Sequence, residues 1–104
     1  MQRVAFKMKL KPGFEAEYKR RHDEIWPDLA EAHRRAGISD YSIFFDEETL
    51  ILFAVQKVSD DNTTAGLPSL PIIRKWWDYM ADIMDTNPGN SPVCVPLREV
   101  FRMD

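Results

Sequence analysis

One hundred and four residues make a single domain, 1–104, with room for one core and little apolar area to spare. Fourteen basic against 17 acidic side chains leave a formal charge of -3, which argues against a nucleic-acid partner. Cys94 is the one cysteine, so no internal disulfide can form, and no run of about 18 apolar residues is present to span a membrane. With no signal-peptide pattern behind Met1, the expected location is cytoplasmic and no membrane partner is expected.

Gln2 to Leu10 alternates, with Val4, Phe6, Met8 and Leu10 on one side and Arg3, Lys7 and Lys9 on the other, the pattern of a half-buried strand. Pro12-Gly13 breaks it, and a helical stripe begins at Phe14 and stops at Gly37. Pro27 interrupts that stripe, because it lacks the N–H owed to the carbonyl of Asp23 and pushes Trp26 out of the α region. Either the helix kinks there or a second helix starts with Pro27 in its first position, with Asp28 and Glu31 near its positive end. Lys19-Arg20-Arg21 and Arg34-Arg35 read as the solvated side.

Within this segment lies Tyr18-x-x-x-His22-x-x-x-Trp26. At about 100° per residue, His22 falls about 40° and Trp26 about 80° from Tyr18, while Phe14, Ile25, Leu29, Ala32 and Ala36 lie within about 40° of it. His22 therefore sits at the edge of a buried stripe between two aromatic rings, a position suited to a pocket that holds a small polar molecule and moves its protons. It is also the side-chain type that titrates near neutral pH unaided, and Glu17 and Asp23 are close in sequence. The plainer reading is a surface histidine bordering the core. On one continuous helix His33 would lie about 16 Å further along, too far to share a metal with His22. No other cluster has metal-ligand spacing and no phosphate-binding or nucleophile motif occurs, so neither metal nor cofactor is expected.

Asp40–Phe45 and Thr49–Val58 form an antiparallel hairpin across Asp46-Glu47-Glu48. If Tyr41, Ile43 and Phe45 make its helix-facing side, the Tyr41 hydroxyl can point into a pocket; a core tyrosine is the alternative. Residues 59–71 read as a loop, Pro71 opens a helix to about Met84, and Leu97–Met103 reads as a last strand. On the helix, Trp76 continues a stripe with Ile73, Met80 and Ile83, consistent with simple core packing. Trp77 points about 100° away and, with Met84, lines a groove. An indole there offers a flat apolar face and one N–H donor, which suits a sugar.

The element order is β-α-β-β-α-β, a ferredoxin-like α+β arrangement in which an antiparallel sheet carries both helices on one face. The other face stays uncovered. Phe44, Ile51, Phe53 and Val55 cannot all point to the helices, so a homodimer is expected.

These residues together resemble the L-rhamnose mutarotase family from Val4 to Phe101. The segments that carry the resemblance are Glu17-Tyr18-Lys19-Arg20-Arg21-His22-Asp23-Glu24-Ile25-Trp26-Pro27, Asp40-Tyr41-Ser42-Ile43 and Lys75-Trp76-Trp77, then Met80–Met84, Asn87-Pro88 and Asn90-Ser91-Pro92. The resemblance implies a ferredoxin-like homodimer that interconverts the α and β anomers of L-rhamnose without a cofactor. It places the catalytic, proton-donating histidine on His22 and sugar contacts on Tyr18, Tyr41, Trp76 and Trp77. Asp60–Pro71 departs from the helical stretch some members carry, and Gly89 stands where an aspartate is frequent. Opening a cyclic hemiacetal needs a proton on the ring oxygen while one leaves the anomeric hydroxyl, and a histidine can serve in either direction. Its partner base is a carboxylate, a tyrosine or a water. A cofactor-free monooxygenase of the dimeric ferredoxin-like kind and a non-catalytic sugar-binding module share the fold or the tryptophans, and the fold alone does not separate them.

Overall fold

The computed structural model describes residues 1–104. Strand β1 spans Gln2–Lys9, helix α1 Glu15–Asp23, helix α2 Pro27–Arg35, strands β2 and β3 Ile38–Asp46 and Ile51–Val58, helix α3 Pro71–Met80 and strand β4 Val95–Leu97. All pairings are antiparallel, in the order β2-β3-β1-β4. Consecutive β2 and β3 pair as a hairpin, whereas β1 reaches β3 only across both helices of the first crossover. This is the ferredoxin-like α+β topology.

Register decides which sheet face is covered. Met8 opposes Leu52 and Phe6 opposes Ala54, and these side chains share one face with Leu10 and Val58. Met8, Leu10, Leu52 and Ala54 form a buried cluster with Tyr18 of α1, Met80 of α3 and Ile83 and Met84 just beyond it, and Phe6 packs against that cluster. Leu29 of α2 is equally buried. The helices thus cover one face. On the other, Phe44 opposes Phe53, which opposes Lys7, which opposes Val95. Phe44 is 63% exposed and nothing in the chain covers that row.

The open choice at Pro27 resolves as two helices. Trp26 adopts φ -63° and ψ 130°, the extended backbone that a residue before proline prefers, and Pro27 takes the first helical position. Ile25, placed on the buried stripe of a continuous helix, falls in the break and is exposed, as is Phe14. Gly37 does end the second helix, at φ +99°. A Cβ there would run into Ser59 Oγ and Asn62, so the position needs glycine for its backbone and for its neighbours.

Three boundaries differ from the sequence-based expectation. The loop 59–71 contains about two turns of 3-10 helix, Thr64–Ser69. Helix α3 ends at Met80 rather than Met84, although Ile83 and Met84 stay buried in the turn that follows. The last strand is Val95–Leu97, not Leu97–Met103, and residues 98–104 have no regular structure. Leu97 opposes Ala5, and the ladder between β1 and β4 ends there. Pro96 is tolerated because β4 is an edge strand.

Candidate active site

His22 occupies the last turn of α1, where its Nδ1 lies 2.9 Å from the backbone oxygen of Tyr18. A carbonyl only accepts, so Nδ1 carries a proton and donates it there, leaving Nε2 as the free nitrogen of the neutral ring. Tyr18 is buried beneath, its ring stacked on the imidazole at 4.2 Å between centroids and 29° between planes. Burial lowers the His22 pKa below 6.5, against smaller opposing contributions from the Tyr18 carbonyl and Asp23. At neutral pH the ring is therefore a proton acceptor first. The four-residue spacing seen in the sequence is what stacks these two rings.

Trp26 reaches the same wall by another route, because the break before Pro27 swings it out of the helical series. Trp76 of α3 meets His22 edge-on at 5.4 Å and Trp26 edge-on at 5.0 Å. Tyr79 stacks on Trp26 at 5.4 Å and tilts against Trp76 at 5.6 Å. Trp76 also packs against the core cluster, as its stripe implies, while Trp77 joins none of these ring contacts and lines the cavity beside it.

Tyr41 is placed by an irregularity of β2. Ile38 opposes Val58 on the helix side, and Ile43 opposes Ala54 on that same side, although their numbers differ by five. Strict alternation cannot do this. A β-bulge between Ser39 and Ser42 sets Asp40 and Tyr41 against Gln56 alone, with Asp40 at φ +48°. The extra residue shifts the alternation, and Tyr41, Ile43 and Phe45 all turn towards the helices. Tyr41 is 39% exposed to the cavity mouth, yet its phenol is surrounded by protein, and burial pushes its pKa up to about 12. Burial likewise raises Tyr18. Both phenols stay protonated through the neutral range.

One cavity of about 1060 Å³ collects these groups: His22, Tyr18, Tyr41, Trp76 and Trp77 all line it. Each site residue expected from the sequence therefore arrives at one place. His33 lines it too, with Nδ1 2.8 Å from the Leu29 oxygen and its ring 6.0 Å from that of Tyr41. The separation of His22 and His33 along one straight helix does not apply, because α1 and α2 are separate helices. No group of three or more His, Cys, Asp or Glu side chains is placed to hold a metal ion.

Arg21, read from the sequence as part of a solvated run, is instead buried, 8% exposed. Its Nε donates to Glu17 at 2.7 Å and Nη1 to the Tyr79 carbonyl at 2.7 Å, while the Asp82 carboxylate accepts at 2.9 and 3.2 Å. Glu17 also takes two bonds from Arg20, and these two guanidiniums hold its carboxyl down to about 2. Arg21 lies about 60° from Tyr18 on the helical wheel, a signal the charge-run reading discarded.

A neutral imidazole, two protonated phenols and flat indoles around one cavity define a ferredoxin-like protein built for proton transfer on a small polyhydroxylated molecule. A family model described as L-rhamnose mutarotase matches residues 3–103. The L-rhamnose mutarotase of Bacteroides thetaiotaomicron is 58% identical over 104 residues, covering the whole of both chains. That of Mesorhizobium japonicum is 57% identical over 102 residues, 98% of this chain and 97% of the relative. The crystal structure of the Formosa agariphila L-rhamnose mutarotase matches at a TM-score of 0.93 and 55% identity, with both chains fully covered. The chain belongs to the L-rhamnose mutarotase family.

Proposed function

We propose that this chain interconverts the α and β anomers of L-rhamnose, an isomerase reaction carried by His22. The observation behind this is the fixed tautomer: Nδ1 is committed to the Tyr18 carbonyl, and Nε2 is free on a ring that lines the cavity. In the opening direction Nε2 accepts the anomeric hydroxyl proton as the bond from C1 to the ring oxygen breaks. The ring oxygen takes a proton from a second donor, for which the phenols of Tyr18 and Tyr41 line the same cavity. The free aldehyde turns about its bond to C2, and closure returns both protons, with the imidazolium now the acid. Protons taken up equal protons released, so the reaction balances without a cofactor. Trp76 and Trp77 offer apolar faces for the C–H side of the pyranose, and Tyr18 and Tyr41 offer hydroxyls to its oxygens. No feature of the cavity favours the monooxygenase or non-catalytic alternatives.

The active form in this reading is a cytoplasmic homodimer. Exposed Phe44 and Val95 and half-buried Phe53 between them, together with Leu97 and the tail residues Val100, Phe101 and Met103, form the apolar surface that a second copy would cover.

Saturation transfer between the anomer resonances of L-rhamnose, compared with L-fucose, tests the activity. Exchange above the spontaneous rate is expected with L-rhamnose. His22→Gln keeps a hydrogen-bonding side chain but cannot titrate, so a loss of about 10²–10⁴-fold is expected. Near wild-type exchange in that variant would remove His22 from proton transfer.

A further inference from the structure

We propose that Arg21 is a positioning residue for this reaction, clamping α1 to the end of α3 so that Trp76 is held against His22. The proposal rests on the mutarotase reading for its kinetic consequences, but its geometry stands apart from it. Arg21 does not line the cavity, so it makes no sugar contact of its own. Its guanidinium nevertheless joins three separate pieces of chain. Glu17 holds it from its own helix, the Tyr79 carbonyl and Met80 Sδ from the last turn of α3, and Asp82 from the turn beyond.

The bond to the Tyr79 carbonyl satisfies one of the acceptors that every helix C-terminus leaves unpaired, and the positive charge complements that end of the helix. The same guanidinium carbon lies 4.4 Å from the centre of the Tyr79 ring. From Tyr79 the contacts continue without a gap: to Trp26, to Trp76, and from Trp76 edge-on to His22. His22 follows Arg21 directly in α1. Arg21 thus closes a ring of contacts whose other end is the proposed proton-transfer group.

A planar fork is needed for this, because two carboxylates, a carbonyl and a thioether sulfur are met in different directions while the flat face stacks on an aromatic ring. A lysine ammonium cannot do both. The remaining lining groups, Tyr18, Tyr41 and Trp77, lie outside the ring. Loss of Arg21 should therefore displace His22 and one sugar contact, Trp76, while Tyr18, Tyr41 and Trp77 still bind the sugar, so catalysis should fall more than binding. Misplacing reacting groups by about 1 Å costs about 10²-fold, which sets the scale of the expected change.

The test uses full-length wild type, Arg21→Ala and Arg21→Lys, with fold checked by circular dichroism before kinetics. For Arg21→Ala the expected result is a kcat for anomer exchange lowered about 10–100-fold with KM changed less than about threefold. Guanidinium chloride in the low millimolar range should restore part of that kcat and leave wild type unaffected. Arg21→Lys retains the charge and should fold even if the alanine variant does not, with kcat still lowered. Independently of any activity, the indole N–H resonances of Trp26 and Trp76 in sugar-free protein should shift in both variants while that of Trp77 stays in place. A folded Arg21→Lys with wild-type kcat, or indole resonances unchanged in a folded variant, would overturn the clamp. Absence of exchange in wild type would instead defeat the mutarotase reading and leave the resonance result to decide the clamp.

Discussion

Replacing Phe44 by serine should dissociate the proposed dimer while leaving each protomer folded. Phe44 stands on the uncovered sheet face, opposite Phe53, and belongs to no buried cluster. A phenylalanine side chain of roughly 200 Å² that is 63% exposed leaves about 125 Å² to be covered by a partner. At about 25 cal/mol per Å², covering it stabilises the interface by about 3 kcal/mol per copy. A two-fold dimer contains the residue twice, so the loss is about 6 kcal/mol, or about four decades in Kd. Sedimentation across nanomolar to high micromolar concentrations reads this directly. Wild type should sediment at twice the protomer mass of 12.1 kDa, and Phe44→Ser at the protomer mass, with an unchanged circular dichroism spectrum. A wild-type monomer at tens of micromolar, or a variant dimer of unaltered Kd, would refute the assignment of this face.

The pH dependence follows from burial of His22, which lowers its folded pKa below the ordinary 6.5. Between those two values the unfolded chain binds more protons, so the His22 contribution to stability is lost as pH falls from about 6.5 through the folded pKa. The acid limb of exchange should likewise have its midpoint below 6.5 and be flat from pH 7 to 8, whereas a limb centred above 7 would assign the proton to another group. With Tyr41 at about 12, no basic limb from its phenol should appear below about pH 10. Trp77→Ala should weaken sugar binding with little change in melting, while Trp76→Ala, which packs on the core, should also lose about 3 kcal/mol of stability; equal melting losses would make both simply core. Gly37→Ala should cost about 1–3 kcal/mol in chemical denaturation, because its φ of +99° strains any side chain and the added methyl meets Ser59 and Asn62.

Local periodicity determined much of this protein. Alternation in Gln2–Leu10 marks the central strand. The four-residue spacing of Tyr18 and His22 sets one ring on the other, and the 100° step from Trp76 to Trp77 separates a cavity ring that also packs on the core from one that does not. Those features depend on residues within a turn or two of each other, where chain geometry leaves little choice. The order of elements, with its constraint on handedness and pairing, was legible for the same reason.

Tertiary structure decided what lies between distant segments. The bulge at Asp40-Tyr41 reverses the alternation of β2, and only its register against β3 reveals that Tyr41 and Ile38 face the same way. The break at Pro27 brings His33 and His22 to one cavity, which a single helical wheel had kept apart. Arg21 looks like its solvated neighbours Lys19 and Arg20, and only the Tyr79 carbonyl and Asp82, about sixty residues away, make it a buried clamp. The tail past Leu97 carries strand-forming residues, yet the ladder to β1 stops at the pair Ala5–Leu97. Side-chain type and spacing specify what a segment can do, whereas burial of a charge, the phase of a strand and the end of a ladder depend on which other segment supplies the missing partner.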